Sequence, residues 1–146
     1  MLNYYPPVAF YFRVEFAISS NSHDTRFQSV SGLTVEYDVE TYKEGGENRF
    51  VHKLPGRTKY NDLVLKRGLL NDSTVIDWCK QAFQNREFRP SDVTVSLLDE
   101  RGTPLKTWKI VKAWPKKWSV SDFNSTANEV VVESLELSYS YFEVIG

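Results

Sequence analysis

The residues of this chain whose types could do chemistry are few, and their spacing brings no reactive set together. His23 and His52 lie in polar, loop-like stretches and lack the paired spacing that a zinc site or an HExxH helix requires, so both read as surface histidines. Cys79 is the single cysteine; it falls on the apolar stripe of a helix with no histidine close in sequence, which suits a buried, inert thiol. Gly45-Gly46 has neither the following lysine nor the helix of a phosphate-binding loop, and no GxGxxG occurs. Glu36, Asp38 and Glu40 share one face of a strand and could in principle work as an acid/base pair. Plain alternation accounts for them as the wet or partner-facing side of a sheet. Without a convergent acid, base and nucleophile, the chain reads as a non-enzyme that needs no cofactor and no metal.

One cluster mixes cations with rings. Lys109, Lys112, Lys116 and Lys117 interleave with Trp114 and Trp118, a combination able to stack on and neutralise single-stranded nucleic acid. The plain alternative is a strand end with packed tryptophans and wet lysines. With 18 basic and 19 acidic side chains and a net charge of −1, the chain has no overall field that draws phosphate backbones or anionic membranes. Nucleic acid is therefore disfavoured as a partner, although a monomeric β-barrel binding a small ligand or a single strand through Trp114 and Trp118 stays open at this point.

The elements that must position these residues are mostly strands. From Val8 to Ile18 the even positions are Val, Phe, Phe, Val, Phe and Ile, a period of two over eleven residues. A second long strand starts near Phe27 and Val30, kinks at Ser31-Gly32, and continues with Leu33, Val35, Tyr37 and Val39 on a packing face. Between Thr41 and Tyr60 a long polar excursion carries Gly45, Gly46, Pro55 and Gly56 among many charges, and loops of that length usually bind something. A strand resumes at Asp62 to Lys66, with Leu63 and Leu65 on one face, and stops at Arg67-Gly68.

The period then changes to helical. Val75, Cys79, Ala82 and Phe83 recur at three-to-four spacing behind the capping oxygens of Asn71, Asp72, Ser73 and Thr74, which predicts one amphipathic helix from about Ser73 to Asn85 packed through those four residues. Val93 to Leu98 and Leu105 to Trp114 read as antiparallel neighbours joined at Asp99 to Gly102. A last strand runs from Val130 to Val144, with Leu135, Leu137, Tyr139 and Tyr141 on one face. The expected fold is mainly β: a barrel or sandwich of long antiparallel strands with one flanking helix.

A length of 146 residues and 41% apolar content fit one domain, residues 1–146, with a real core and no composition break. A single cysteine rules out an internal disulfide and suits a reducing cytoplasm. The first twenty residues lack a basic leader, and Arg13 and Glu15 interrupt their apolar part, so the reading is cytoplasmic synthesis without a signal peptide or membrane insertion.

The order of an aromatic first strand, FQSVSGL, an acidic strand ending in YKEGG, LPG, LKRGL and a helix with Trp78, followed by Trp108 and the AWP of 113–115, resembles the tail-tube proteins of contractile phages and contractile injection systems. The match runs from about Phe10 to Tyr141 and rests on VSGL at 30–33, EGG at 44–46, LPG at 54–56 and LKRG at 65–68 in order. The short chain looks most like the inner tube of extracellular phage-tail-like injection particles, with the haemolysin-coregulated protein of type VI secretion similar in fold. The resemblance implies a subunit that forms hexameric rings, stacked into a rigid conduit or cargo shaft that is expelled when the sheath contracts. Its partners would be further copies of itself, the sheath, baseplate or initiator and terminator proteins, and cargo in the lumen. Long strands fit such a role, because a ring covers edges that are a liability in a monomer. Tyr42, Glu44, Glu47, Arg49, Lys53 and Arg57 in the polar excursion are the expected ring-stacking contacts.

Overall fold

The computed structural model describes residues 11–19, 26–42, 45–46, 51–70, 73–126 and 130–146. Period-two patterning yields nine strands and period-3.6 patterning one helix in this described part: β1 (Tyr11–Phe16), β2 (Ser29–Ser31), β3 (Val35–Tyr42), β4 (His52–Tyr60), β5 (Leu63–Gly68), α1 (Thr74–Asn85), β6 (Ser91–Leu98), β7 (Pro104–Val120), β8 (Val132–Ser138) and β9 (Tyr141–Ile145). All strand pairs are antiparallel, in the order β1-β6-β7-β8-β5-β2, with β9 added beside β7 and β3-β4 forming a separate two-stranded ribbon.

The 17-residue β7 belongs to two half-sheets. Its first part lies between β6 and β9, and its second part pairs with β8. The handover occurs at a bulge, where Lys112 adopts φ 56° and its amide donates to the Asp92 carboxylate at 3.1 Å. Such a bend lets one strand turn a corner between packed sheets. Val14, Phe16, Val93, Val95 and Ile110 from one half meet Leu63, Leu65, Leu135 and Leu137 from the other, with Val75, Trp78 and Cys79 of α1 in the same buried cluster. The arrangement is sandwich-like: among the described residues β1 and β2 end the path, with no hydrogen bonds closing it into a barrel.

Helix α1 starts at Ser73, whose hydroxyl accepts from the Ile76 amide at 3.2 Å, and ends at Arg86 in the left-handed region at φ 55°. It buries Val75, Trp78, Cys79 and Ala82, whereas Phe83 keeps 46% of its surface exposed. That corrects the expected packing face at one residue: Phe83 points about 90° from the centre of the buried stripe, and Trp78 on its other flank fills the core instead. The Trp78 indole donates to the Arg89 carbonyl at 2.6 Å and packs edge-on against Phe16.

Three further boundaries differ from the sequence reading. The expected bent strand across Ser31-Gly32 is broken, since β2 joins β5 while β3 leaves the body. Gly32 sits at φ 94°, and a Cβ there would lie 1.9 Å from the Asp62 carbonyl oxygen, so only glycine permits this close passage. The stretch from Thr41 to Tyr60 is not simply a loop, because β4 returns along β3. The last strand divides at Tyr139-Ser140, and burial changes parity from Leu135 and Leu137 to Phe142, so Tyr141 is exposed. A one-residue change of register turns every following side chain over, and here it lets β9 follow the first part of β7 past the bulge. Residues 8–10 of the expected first strand lie outside the described residues.

Candidate functional site

Every residue of β3 is exposed. Its register against β4 sorts the ribbon into two faces: Val35, Tyr37 and Val39 lie opposite Tyr60, Thr58 and Pro55, while Glu36, Glu40 and Tyr42 lie opposite Lys59, Leu54 and His52. The first face is apolar and uncovered, with Tyr37 62% and Val39 61% exposed. The second carries a cross-strand charge pair and the stacked rings of Tyr42 and His52, 4.9 Å apart. The expectation that Val35, Tyr37 and Val39 pack within the subunit is therefore corrected. The ribbon projects from the body, and only its foot, Leu33 and Tyr60, packs against the core.

The foot is anchored. The Thr34 amide donates to the Gly32 carbonyl at 2.8 Å, the Tyr139 hydroxyl donates to the Asn61 carbonyl at 2.7 Å, and the Lys116 ammonium donates to Asp62 at 2.6 Å. Tyr60 packs edge-on against Tyr139 and Phe142. Burial pushes the Tyr139 hydroxyl up to about 12, so it stays a neutral donor. Midway along, a bulge sets Gly56 against Asp38, where a Cβ would stand 2.8 Å from the Asp38 carbonyl oxygen. These contacts fix the foot of the ribbon and direct it outward from the body.

Of the expected stacking residues, Tyr42, Lys53 and Arg57 are exposed on this ribbon, and Glu44, Glu47 and Arg49 lie outside the described residues, as does His23. Trp114 and Trp118 do not come together. Four residues apart on a regular strand they would share a face, but the register shifts between Pro115 and Lys117. Trp114 pairs with Ser138 and stands against Phe88, whereas Trp118 pairs with buried Leu135 and its indole donates to Glu133 at 3.2 Å. They occupy opposite faces of the sheet and make no joint stacking platform. Cys79 is buried at 3% exposure, and burial, reinforced by the Glu133 charge, pushes its thiol up to about 12, far from the thiolate a nucleophile needs. No group of three His, Cys, Asp or Glu side chains that could hold a metal occurs among the described residues.

One buried polar group was missed in the sequence. Arg67 and Glu133 are cross-strand partners in β5 and β8; their side chains form an ion pair, and Arg67 also donates to the Ser73 hydroxyl at 2.8 Å and lies over the Phe27 ring. The pair ties the half-sheet to the cap of α1. Parity was the available signal, since Arg67 continues the positions of Leu63 and Leu65, and Glu133 those of Leu135 and Leu137.

Comparison with known proteins agrees with this geometry. The family described as T4-like virus tail tube protein gp19 matches residues 8–143. A chain of the anti-feeding prophage baseplate, solved by cryo-EM with six-fold symmetrisation, is 30% identical over 97% of both chains with a TM-score of 0.86. A chain of the sheath-tube complex of the extracellular contractile injection system PVC, in its extended state, is 27% identical over 97% of this chain and 93% of its own, with a TM-score of 0.82. Hcp1 from Flavobacterium johnsoniae, 15% identical over 92% and 94% with a TM-score of 0.55, shares the fold. No curated protein matches.

Proposed function

The chain belongs to the T4-like virus tail tube family and is a structural tube subunit of contractile systems, not an enzyme, and from that premise we propose how it assembles. Copies form six-membered rings, and the rings stack into the inner tube of an extracellular contractile injection particle. The observation that carries this is the β3–β4 ribbon, an arm anchored at its foot with an uncovered apolar face. A surface of that kind on a folded subunit is a site for another protein surface.

The outer edges of β1, β2 and β9 are also unpaired among the described residues and offer backbone donors and acceptors to neighbouring copies. Residues 1–146 act as one tail-tube domain. Tyr42, Lys53 and Arg57, with Glu44, Glu47 and Arg49 between them in the sequence, set the register between rings. The sheath, the baseplate and a terminating cap are the partners, by analogy with the assemblies that hold the similar chains. Synthesis takes place in the bacterial cytoplasm, a compartment that suits the single free cysteine.

Negative-stain electron microscopy of the purified chain across a concentration series tests this reading. Six-fold rings that lengthen into tubes are the expected result, and deletion of residues 45–50 should leave rings that no longer stack. A particle that stays monomeric at every concentration, or a deletion variant that polymerises normally, would count against rings or against the arm respectively.

A further inference from the structure

We propose that the groove between Phe88, Pro90 and Trp114 is a proline-recognition clamp, and that its occupant is the Tyr4-Tyr5-Pro6-Pro7 segment of a second copy of this chain. The clamp is built where three elements meet. Phe88 follows the left-handed end of α1 at Arg86, and the Arg89 carbonyl after it is held by the Trp78 indole at 2.6 Å. Ser91, next to Pro90, pairs with Ala113, which sets Trp114 beside both. The rings of Phe88 and Trp114 stand edge to face with centroids 5.6 Å apart, border a groove of about 360 Å³ and stay exposed. Trp78 and Trp118 give their indole N–H groups to Arg89 and Glu133, whereas that of Trp114 has no acceptor among the described residues.

An aromatic-walled groove with a spare indole donor fits a chain in the polyproline II conformation. Such a chain makes no internal hydrogen bonds, so its carbonyls are free to accept. Residues 1–10 contain the one Pro-Pro pair of the sequence. The proline rings fix φ, and a residue before proline avoids the helical region, so Tyr5-Pro6-Pro7 is pre-set for that conformation at little entropic cost. At three residues per turn, Tyr4 and Pro7 fall on one face. None of these ten residues carries a charged side chain. The family match begins at residue 8, so the segment lies outside the pattern that the family shares.

Reach assigns the segment to a neighbour. β1 starts at Tyr11, opposite Leu98, whereas Pro90 precedes the other end of β6 at Ser91. The eight residue steps from Leu98 back to Pro90 cover roughly 26 Å of extended strand. Pro7 lies four steps and Pro6 five steps before Tyr11, a span of at most about 18 Å. The prolines therefore fall short of the clamp on their own subunit. Each copy carries the segment toward one end of β6 and the clamp at the other, so the contact runs head to tail and joins copies in series. It adds a tether between subunits to the tube reading and stands on the chemistry of the single chain.

Fluorescence anisotropy of a labelled peptide of residues 1–10, titrated with the dilute full-length chain, tests the assignment. Saturable binding is expected, equal in low and high salt because the peptide has no charged side chain. Pro6→Ala with Pro7→Ala in the peptide should weaken it about tenfold or more, and so should Trp114→Ala in the chain. The peptide variant leaves the folded chain untouched, so its result holds even where Trp114→Ala disturbs the fold. No saturable binding, or binding indifferent to the two prolines, overturns the proposal. Peptide displaced by a single-stranded oligonucleotide in a salt-sensitive way would make the groove a nucleic-acid site and overturn it as well. Replacing both prolines in the full chain should leave its affinity for the peptide unchanged; a gain of about tenfold would mean that the segment already occupies its own clamp, which overturns the assignment to a second copy. The titration needs no rings, so a failure of this inference and a failure of the tube reading are seen separately.

Discussion

In β5 the side chains of Leu63 and Leu65 have lost all contact with water, whereas in β3 Val35, Tyr37 and Val39, which alternate in the same way, keep between 47% and 62% of their surface exposed. The two strands differ in what lies above their apolar face. β5 is flanked by β2 and β8 and covered by the shared core, while β3 has only β4 beside it and projects beyond the body. An alternating strand therefore states that one face will be covered without stating by which molecule. In a subunit that polymerises, the second answer is a neighbouring copy.

That contrast can be broken by placing a carboxylate on each side of it. Cys79→Asp buries an unpaired acid near Glu133 and should cost at least about 3 kcal/mol, enough to abolish cooperative unfolding in a marginal domain, as followed by circular dichroism against urea. Val39→Asp should leave the urea midpoint unchanged within about 0.5 kcal/mol yet stop ring stacking in the electron microscope. A folded, assembling Cys79→Asp subunit would refute the burial of this face of α1.

Truncation sharpens the same comparison with a smaller effect. Leu65→Ala should lose about 2–5 kcal/mol of folding stability through lost transfer energy and a residual cavity. Tyr37→Ala should lose almost none, because its ring is already in water, and should instead raise the concentration at which tubes appear. Equal destabilisation by the two changes would mean that the arm packs on its own subunit.

The smallest effect is an alkaline one. The Cys79 thiol is raised from 9.0 to about 12 in the folded state, so the folded state holds its proton more tightly than the unfolded chain does. Its contribution is fully present below pH 9 and is lost as pH rises toward 12. Urea midpoints measured from pH 8 upward should begin to fall near pH 9, and Cys79→Ala should remove that early part of the decline. Tyr139, raised from 10.0 to about 12, then governs a later decline that weakens the anchor of the arm.

Much of the fold was legible in the sequence because its signals are local. Ser73 as a cap, the 3.6-residue stripe of α1 and the alternation in β1, β5 and β6 are written within a few residues of where they act. The buried Arg67–Glu133 pair was only half legible: each residue continues the parity of buried leucines, but a charged side chain at such a position ordinarily marks a strand end or a wet site. The separation of Trp114 from Trp118 was not legible, as it depends on a bulge whose position is set by pairing with β8.

The sequence by itself determined that this is a mainly β chain with one helix, no convergent reactive groups and the ordered motifs of a tube subunit, because composition, period and motif order are properties of the chain alone. Only the tertiary structure decided that β3 leaves the body as an arm, that Phe83 faces water while Trp78 is buried, and that serines of the three strands β2, β7 and β8 share one open face. Those outcomes depend on which strands pair and in which register, a choice made by contacts between residues far apart in the chain.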